Sequence, residues 1–128
     1  MTWSSGELHH IVKADDVKIA SLRDDRMTPG TQTWVWCVAV NGELYVRAYN
    51  GKQSRSYQAA IRQGAGLIVA AGMVWVVKFE LAAGEINASI DDAYRAQHKG
   101  SPSLRSMIND GAREATTKVT LQRNTSNN

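Results

Sequence analysis

Asn41-Gly42 stands between two runs of strand-forming residues, and that arrangement commits the middle of the chain to a β-hairpin. Thr33–Val40 is almost wholly apolar and rich in Trp and Val, which predicts a central strand. The dipeptide supplies the two left-handed residues of a type I′ turn, so Glu43–Tyr49 is expected to return antiparallel. A period of two then puts Leu44, Val46 and Ala48 on one face and Tyr45, Arg47 and Tyr49 on the other. A second hairpin repeats the plan. Leu67–Ala71 and Met73–Leu81 turn at Gly72, with Trp75, Val77, Phe79 and Leu81 on one face and Val74, Val76, Lys78 and Glu80 opposite.

Helical signals separate these strands. Ser4-Ser5-Gly6-Glu7 reads as a capping box, with Trp3 and Leu8 at the staple positions of a helix running to about Lys13. Val17–Leu22 is a short strand or a turn, and Asp24–Thr31, with Pro29-Gly30, is a loop. Ser54–Gln63 has helical character and Gly64 ends it. Ile86–His98 is a helix with Ile86, Ile90, Ala93, Tyr94 and Gln97 inward. Ser101-Pro102 opens a further short helix, closing near Asp110-Gly111. Arg113–Arg123 alternates as a strand, with Ala115, Thr117, Val119 and Leu121 on one side. Five or six strands, mostly antiparallel, with helices between hairpins describe an α+β domain. A small closed or half-open barrel is the natural way to hide its strand edges. Residues 1–123 are expected to form this single domain, followed by a disordered polar tail, Asn124–Asn128.

Composition narrows the chemistry. The single Cys37 excludes an internal disulfide and thiolate-rich metal sites, and its apolar setting predicts a buried, inert thiol. The N-terminus lacks an apolar run of the length of a signal peptide's core, and no stretch has the length of a membrane span, so a cytoplasmic protein with no membrane partner is expected. A net charge of +3 is low for a nucleic-acid binder, and none is expected as a partner. Gly64-Ala65-Gly66 and Ala71-Gly72 are hairpin glycines rather than phosphate cradles. His9 and His10 are helical neighbours that face different directions, and no metal site is expected. Asp15-Asp16, Asp24-Asp25 and Asp91-Asp92 read as loop or helix-start pairs.

Charge is unevenly spread. Leu44–Phe79 contains no acidic residue, yet it carries Arg47, Lys52, Arg55, Arg62 and Lys78. Arg47 offers a bidentate fork to a phosphate or carboxylate, and Lys52 and Arg55 add charge from the turn and the helix start. The positive end of that helix points the same way. The plain alternative is a solvent-facing strand surface covered by long stems and amphipathic rings. Tyr57 reaches such a cleft or packs in the core, while Arg62 and Lys78 have surface placement as their default. Trp34 and Trp36 share one strand face; packing is the base expectation for them, and an indole at a cleft mouth would stack on a flat ligand.

The order Thr33-Trp34-Val35-Trp36-x-Val38, Gly42-x-Leu44-Tyr45-Val46-Arg47-Ala48-Tyr49-x-Gly51 and Ser56-Tyr57 resembles the DUF2255 family. The later pieces Val77-x-Phe79, Ile90-Asp91-x-Ala93-Tyr94-Arg95 and Ala115-Thr116-Thr117-x-Val119-x-Leu121 extend the likeness over nearly the whole chain. That family is in turn distantly similar to the split barrels that bind FMN or deazaflavin, including nitroreductase-like and pyridoxamine-phosphate-oxidase-like proteins. The resemblance implies a six-stranded split barrel and a homodimer with ligand sites at its interface. Where the family carries Trp-Tyr-Arg, this chain reads Ser56-Tyr57-Gln58.

Three functions fit these readings. The first is an oxidoreductase that holds FMN or deazaflavin against a small aromatic or conjugated substrate. There Arg47, Lys52 and Arg55 would take the anionic part, Trp34 or Trp36 would stack, and Tyr49 or Tyr57 would donate a hydrogen bond. The second is a cofactor-free cyclase, isomerase or lyase, with Tyr49, Tyr94 or His98 moving the proton and Arg47 stabilising an enolate-like oxygen. The third is a non-catalytic binding protein for a small anionic metabolite.

Overall fold

The computed structural model describes residues 3–14, 17–23, 25, 27–30, 32–47, 55–82, 84–97, 100, 104, 108 and 110–121. In chain order these form α1 (Ser5–Lys13), β1 (Lys18–Ser21), β2 (Thr33–Trp34), β3 (Trp36–Val40) and β4 (Glu43–Arg47). Then come α2 (Arg55–Gln63), β5 (Ala65–Ala70), β6 (Met73–Leu81), α3 (Ile86–Gln97), α4 (Asp110–Glu114) and β7 (Thr116–Leu121). The strands make one sheet in the order β2-β1-β5-β6-β7-β4-β3, with every pairing antiparallel.

The strands at the two ends of that order, β2 and β3, are consecutive in the chain and separated only by Val35. One extended run therefore supplies both edges, and the sheet curls into a barrel-like wall. Two expectations are corrected here. Thr33–Val40 is not a central strand, and there are seven strands rather than six, because the run changes partner at Val35. Thr33 and Trp34 pair with β1, whereas Trp36–Val40 pair with β4. The Val35 N–H between them donates to the Val17 carbonyl at 3.1 Å.

Local chemistry sets the turns and ends. Asn41 and Gly42 take positive φ values of 54° and 80° between β3 and β4, as the hairpin signal predicts. At the N-terminus of α1 the Ser4 hydroxyl accepts from the Glu7 N–H (3.1 Å), and the Glu7 carboxylate accepts from the Ser4 N–H (2.9 Å). The capping box is thus formed on both sides. Gly64, at φ 69°, ends α2 as expected.

Alternation decides the core. Ile19, Leu44, Val46, Ile68, Val77 and Val119 are buried on the inner side of the wall, where α1 adds Leu8 and Ile11, Trp3 joins from just before that helix, and α2 adds Ala60. The Trp3 indole N–H donates to the Val119 carbonyl at 2.8 Å, tying the start of the chain to its last strand. A second cluster lies outside β3 and β4, where Ile90 and Tyr94 of α3 cover Val38 and Tyr45. Strand β4 is therefore buried on both faces. This corrects the expectation that Tyr45 and Arg47 line a solvent or cleft surface: both are buried. Leu81, on the strand face of Val77 and Phe79, is exposed at the end of β6, and β7 starts at Thr116 rather than Arg113 because α4 occupies the residues before it.

Cys37 belongs to the inner core, and burial pushes its thiol up to about 12. Native protein at pH 8 is therefore expected to stay unlabelled by a thiol reagent such as DTNB and to react fully in guanidinium. Rapid labelling of the native chain would contradict this packing.

Candidate functional site

Arg47 ends β4 with its side chain beneath α3, and its guanidinium is enclosed. Asn87 and Asp91, four residues apart, project from one stripe of that helix toward it. One guanidinium nitrogen donates to an Asp91 oxygen, Nε donates to the Thr116 hydroxyl (2.9 Å), and the other terminal nitrogen donates to the Asn87 side-chain oxygen (2.9 Å). The second Asp91 oxygen takes Arg113, at 2.9 Å from Nε and 2.8 Å from a terminal nitrogen. Burial alone would raise the Asp91 carboxyl. Hydrogen bonds from Arg113 and Arg47, and then their charges, outweigh it and hold the group below its ordinary value.

The fork proposed for an external anion thus grips a carboxylate of the same chain. Sequence reasoning took Asp91 for half of a helix-start pair, whereas it sits in mid-helix and bridges two arginines. The signal was present in the spacing Asn87, Asp91 and Tyr94, one stripe of α3 placed over Arg47. Tyr94, proposed as a proton carrier, is fully buried, with its ring centroid 5.5 Å from Arg47 Cζ. Its hydroxyl donates to the Trp36 carbonyl at 2.6 Å, and burial pushes the phenol well above its usual range. In this state it is a packing and hydrogen-bonding group.

The other proposed residues scatter. Trp34 is 63% exposed on β2, with the Lys18 ammonium 4.5 Å from its ring centre. Trp36 packs at the edge of the cluster under α3 and lines a pocket of ≈ 460 Å³ with Cys37, Lys13 and Gln97. The Gln97 amide closes one side of that pocket by donating to the Val12 and Cys37 carbonyls, each at 3.1 Å. Tyr57 meets Arg47 at a cavity of ≈ 10 Å³, room for about one water, and its hydroxyl donates to the Glu114 carbonyl at 3.4 Å. Tyr49, Lys52 and His98 lie outside the described residues.

Arg55 lies elsewhere, on a groove of ≈ 430 Å³ between β1 and α2. Arg55, Ala59 and Arg62 line its helical side, spaced four and seven residues apart and so on one stripe of α2. Arg23 reaches it from the end of β1, and Ile19 and Leu22 add apolar surface. Ser21 and Thr33 bring hydroxyls. Among the described residues lining the groove none is acidic. In the loop after β1, the Asp25 carboxylate is committed to its own turn. Asp25 accepts from the Thr28 hydroxyl (2.6 Å) and from the Thr28 and Met27 N–H groups (2.9 Å each). The Thr28 bonds lead in holding it down to about 2. Sequence reasoning ranked Arg62 low and missed Arg23, whose proximity depends on β1 passing beside α2.

Among the described residues, no three His, Cys, Asp or Glu side chains gather as around a metal ion, and no helix is long and apolar enough to cross a membrane. No curated protein sequence matches the chain. One family model does, over residues 7–119, which takes in α1 from Glu7, the β-wall as far as Val119, and both sides of the groove. The chain belongs to the DUF2255 family, described as an uncharacterized protein conserved in bacteria.

Proposed function

We propose that this protein binds a small organic anion in the groove between β1 and α2. The observation that carries the reading is the union of three arginines, Arg23, Arg55 and Arg62, with apolar residues and no acidic lining residue among those described. Arginine forks suit planar carboxylates and phosphates, and apolar surface beside them favours a ligand with an aromatic or conjugated body. Arg47, the first choice from sequence, has its charge answered inside the fold.

FMN and deazaflavin remain specific forms of this ligand. The groove offers partners to the phosphate end, but the indoles assigned to the ring line no part of it: Trp34 is on β2 and Trp36 is under α3. Binding therefore rests on firmer ground than flavin chemistry, and the oxidoreductase reading depends on the flavin arm of the test.

Titration with FMN, followed by flavin fluorescence, is expected to saturate and to weaken as salt screens the exposed arginines. Riboflavin, which lacks the phosphate, is expected to bind at least tenfold more weakly. Arg55→Glu should lower affinity by about 10- to 100-fold, the scale of one charge-assisted hydrogen bond turned repulsive. An aromatic carboxylate series run in the same way tests the groove without a flavin. If neither FMN nor any member of that series binds, or if Arg55→Glu leaves binding unchanged, the groove is not the site.

A further inference from the structure

The groove between β1 and α2 is graded from its mouth to its floor. Arg23, Arg55 and Arg62 are all exposed, so positive charge gathers at the mouth. Arg23 is steadied there by its Nε, which donates to the Pro29 carbonyl at 3.4 Å. Ser21, Thr33 and Ala59 are half-buried, and the least exposed lining residue, Ile19, belongs to the inner core.

Strand register builds that floor. Ile19 and Ser21 are two apart on β1 and share a face, and Thr33 lies directly opposite Ile19 on β2. Gly66, opposite Ser21 on β5, brings no side chain to cover it. A hydroxyl withdrawn from solvent ordinarily finds a partner. Among the described residues, neither the Ser21 nor the Thr33 side chain makes a hydrogen bond. On the helical side, Ala59 stands between Arg55 and Arg62 on one stripe with only a methyl group. The space between those two arginines is thereby kept open.

We infer that the groove takes a flat aromatic acid body first, with Ala59 setting the size of ring it admits. The ring lies over Ala59 and Ile19, a hydroxyl or carbonyl on it meets Ser21 or Thr33, and the ionised group stays among the arginines. This rests on the anion-binding reading above, to which it adds an orientation, a ligand class and a specificity-determining residue. Charge decides the orientation. An ionised group driven to the floor would lose its water and meet only hydroxyls and hydrocarbon. With the ring down, the acid keeps charged partners at the mouth, and apolar area is what leaves water. A longer side chain at residue 59 would take the place of the ring without altering any charge.

Naphthoate and a series of hydroxynaphthoates, which fluoresce, provide the test by titration at several salt concentrations. At least one hydroxynaphthoate is expected to bind about three- to tenfold more tightly than naphthoate, the scale of one hydrogen bond. That preference should vanish in the double variant Ser21→Ala with Thr33→Val. Ala59→Phe should weaken all the naphthoates by roughly tenfold or more while leaving the salt dependence of the residual binding unchanged. Arg55→Glu should instead flatten the salt dependence and spare the hydroxyl preference. If circular dichroism shows that Ala59→Phe does not fold, the hydroxyl pair decides alone. Failure of every naphthoate to bind removes the anion reading and this inference together. The groove stands and the orientation falls if naphthoates bind, and Arg55→Glu weakens them, but folded Ala59→Phe binds them as the parent does. A hydroxyl preference that is absent from the parent, or that survives loss of both hydroxyls, has the same consequence.

Discussion

Gly66→Ala is expected to destabilise the protein by about 3 kcal/mol or more, lowering the melting temperature by roughly 10 °C or more. Gly66 lies on β5 directly opposite Ser21 of β1. A Cβ there would overlap the Ala20 carbonyl oxygen and lie 2.8 Å from Phe79 Cε2 and 2.9 Å from Ser21 Cα. Two of those three obstacles are backbone atoms of a paired strand, so no rotamer change relieves them. Relief requires β1 to move away from β5, which would disturb Ile19 in the core and the adjoining arginine groove. Gly6→Ala is the matched control. It lies in the first turn of α1, its Cβ would meet only Ser4 Oγ at 4.0 Å, and alanine suits a helix better by up to about 1 kcal/mol. Thermal melts by circular dichroism should show one variant falling well below the parent and the other matching or exceeding it. An unchanged melting temperature for Gly66→Ala would refute the β1–β5 register.

The contrast between these glycines shows what the sequence conveys about this fold. Turns, caps and strand alternation were legible because their causes are local. Asn41-Gly42, the Ser4–Glu7 box and Gly64 each act within a few residues, and each appears where expected. The partner change at Val35 was hidden because it depends on which strands lie on either side of Thr33–Val40. Burial of Arg47 was hidden for a related reason. Period-two patterning separates the faces of β4, but only the path of α3 decides which faces are covered. The acid-free stretch from Leu44 to Phe79 consequently divides into unlike parts. Arg47 answers Asp91 in the interior, Arg55 and Arg62 line a groove, Lys78 is exposed on the wall, and Lys52 lies outside the described residues. Within that stretch the arginines that line a groove are therefore on α2, beside β1, rather than on β4.

Asp91→Ala is expected to have the largest effect of any polar substitution, about 3–5 kcal/mol. The carboxylate is the shared anion between two cations, one of them Arg47 at 1% exposure. Removing it takes from an interior guanidinium the carboxylate that answers it, while the bonds to the neutral oxygens of Asn87 and Thr116 stay. The cost is dominated by that stranded charge rather than by the net worth of the original pair, since desolvation offsets much of the attraction between buried ions. A cycle separates the two. Arg47→Met with Asp91→Leu removes both charges and keeps the volume filled, so the double variant should recover a large part of the loss in Asp91→Ala. pH gives an independent reading. The folded carboxyl lies below its unfolded value of about 3.9, so its stabilisation is complete above that value and is lost as pH falls through the folded one. Urea melts at pH 7 and near pH 3 should therefore show the gap between the parent and Asp91→Asn narrowing in acid. A gap that is constant or widens toward low pH would mean that Asp91 is not held ionised by Arg47 and Arg113.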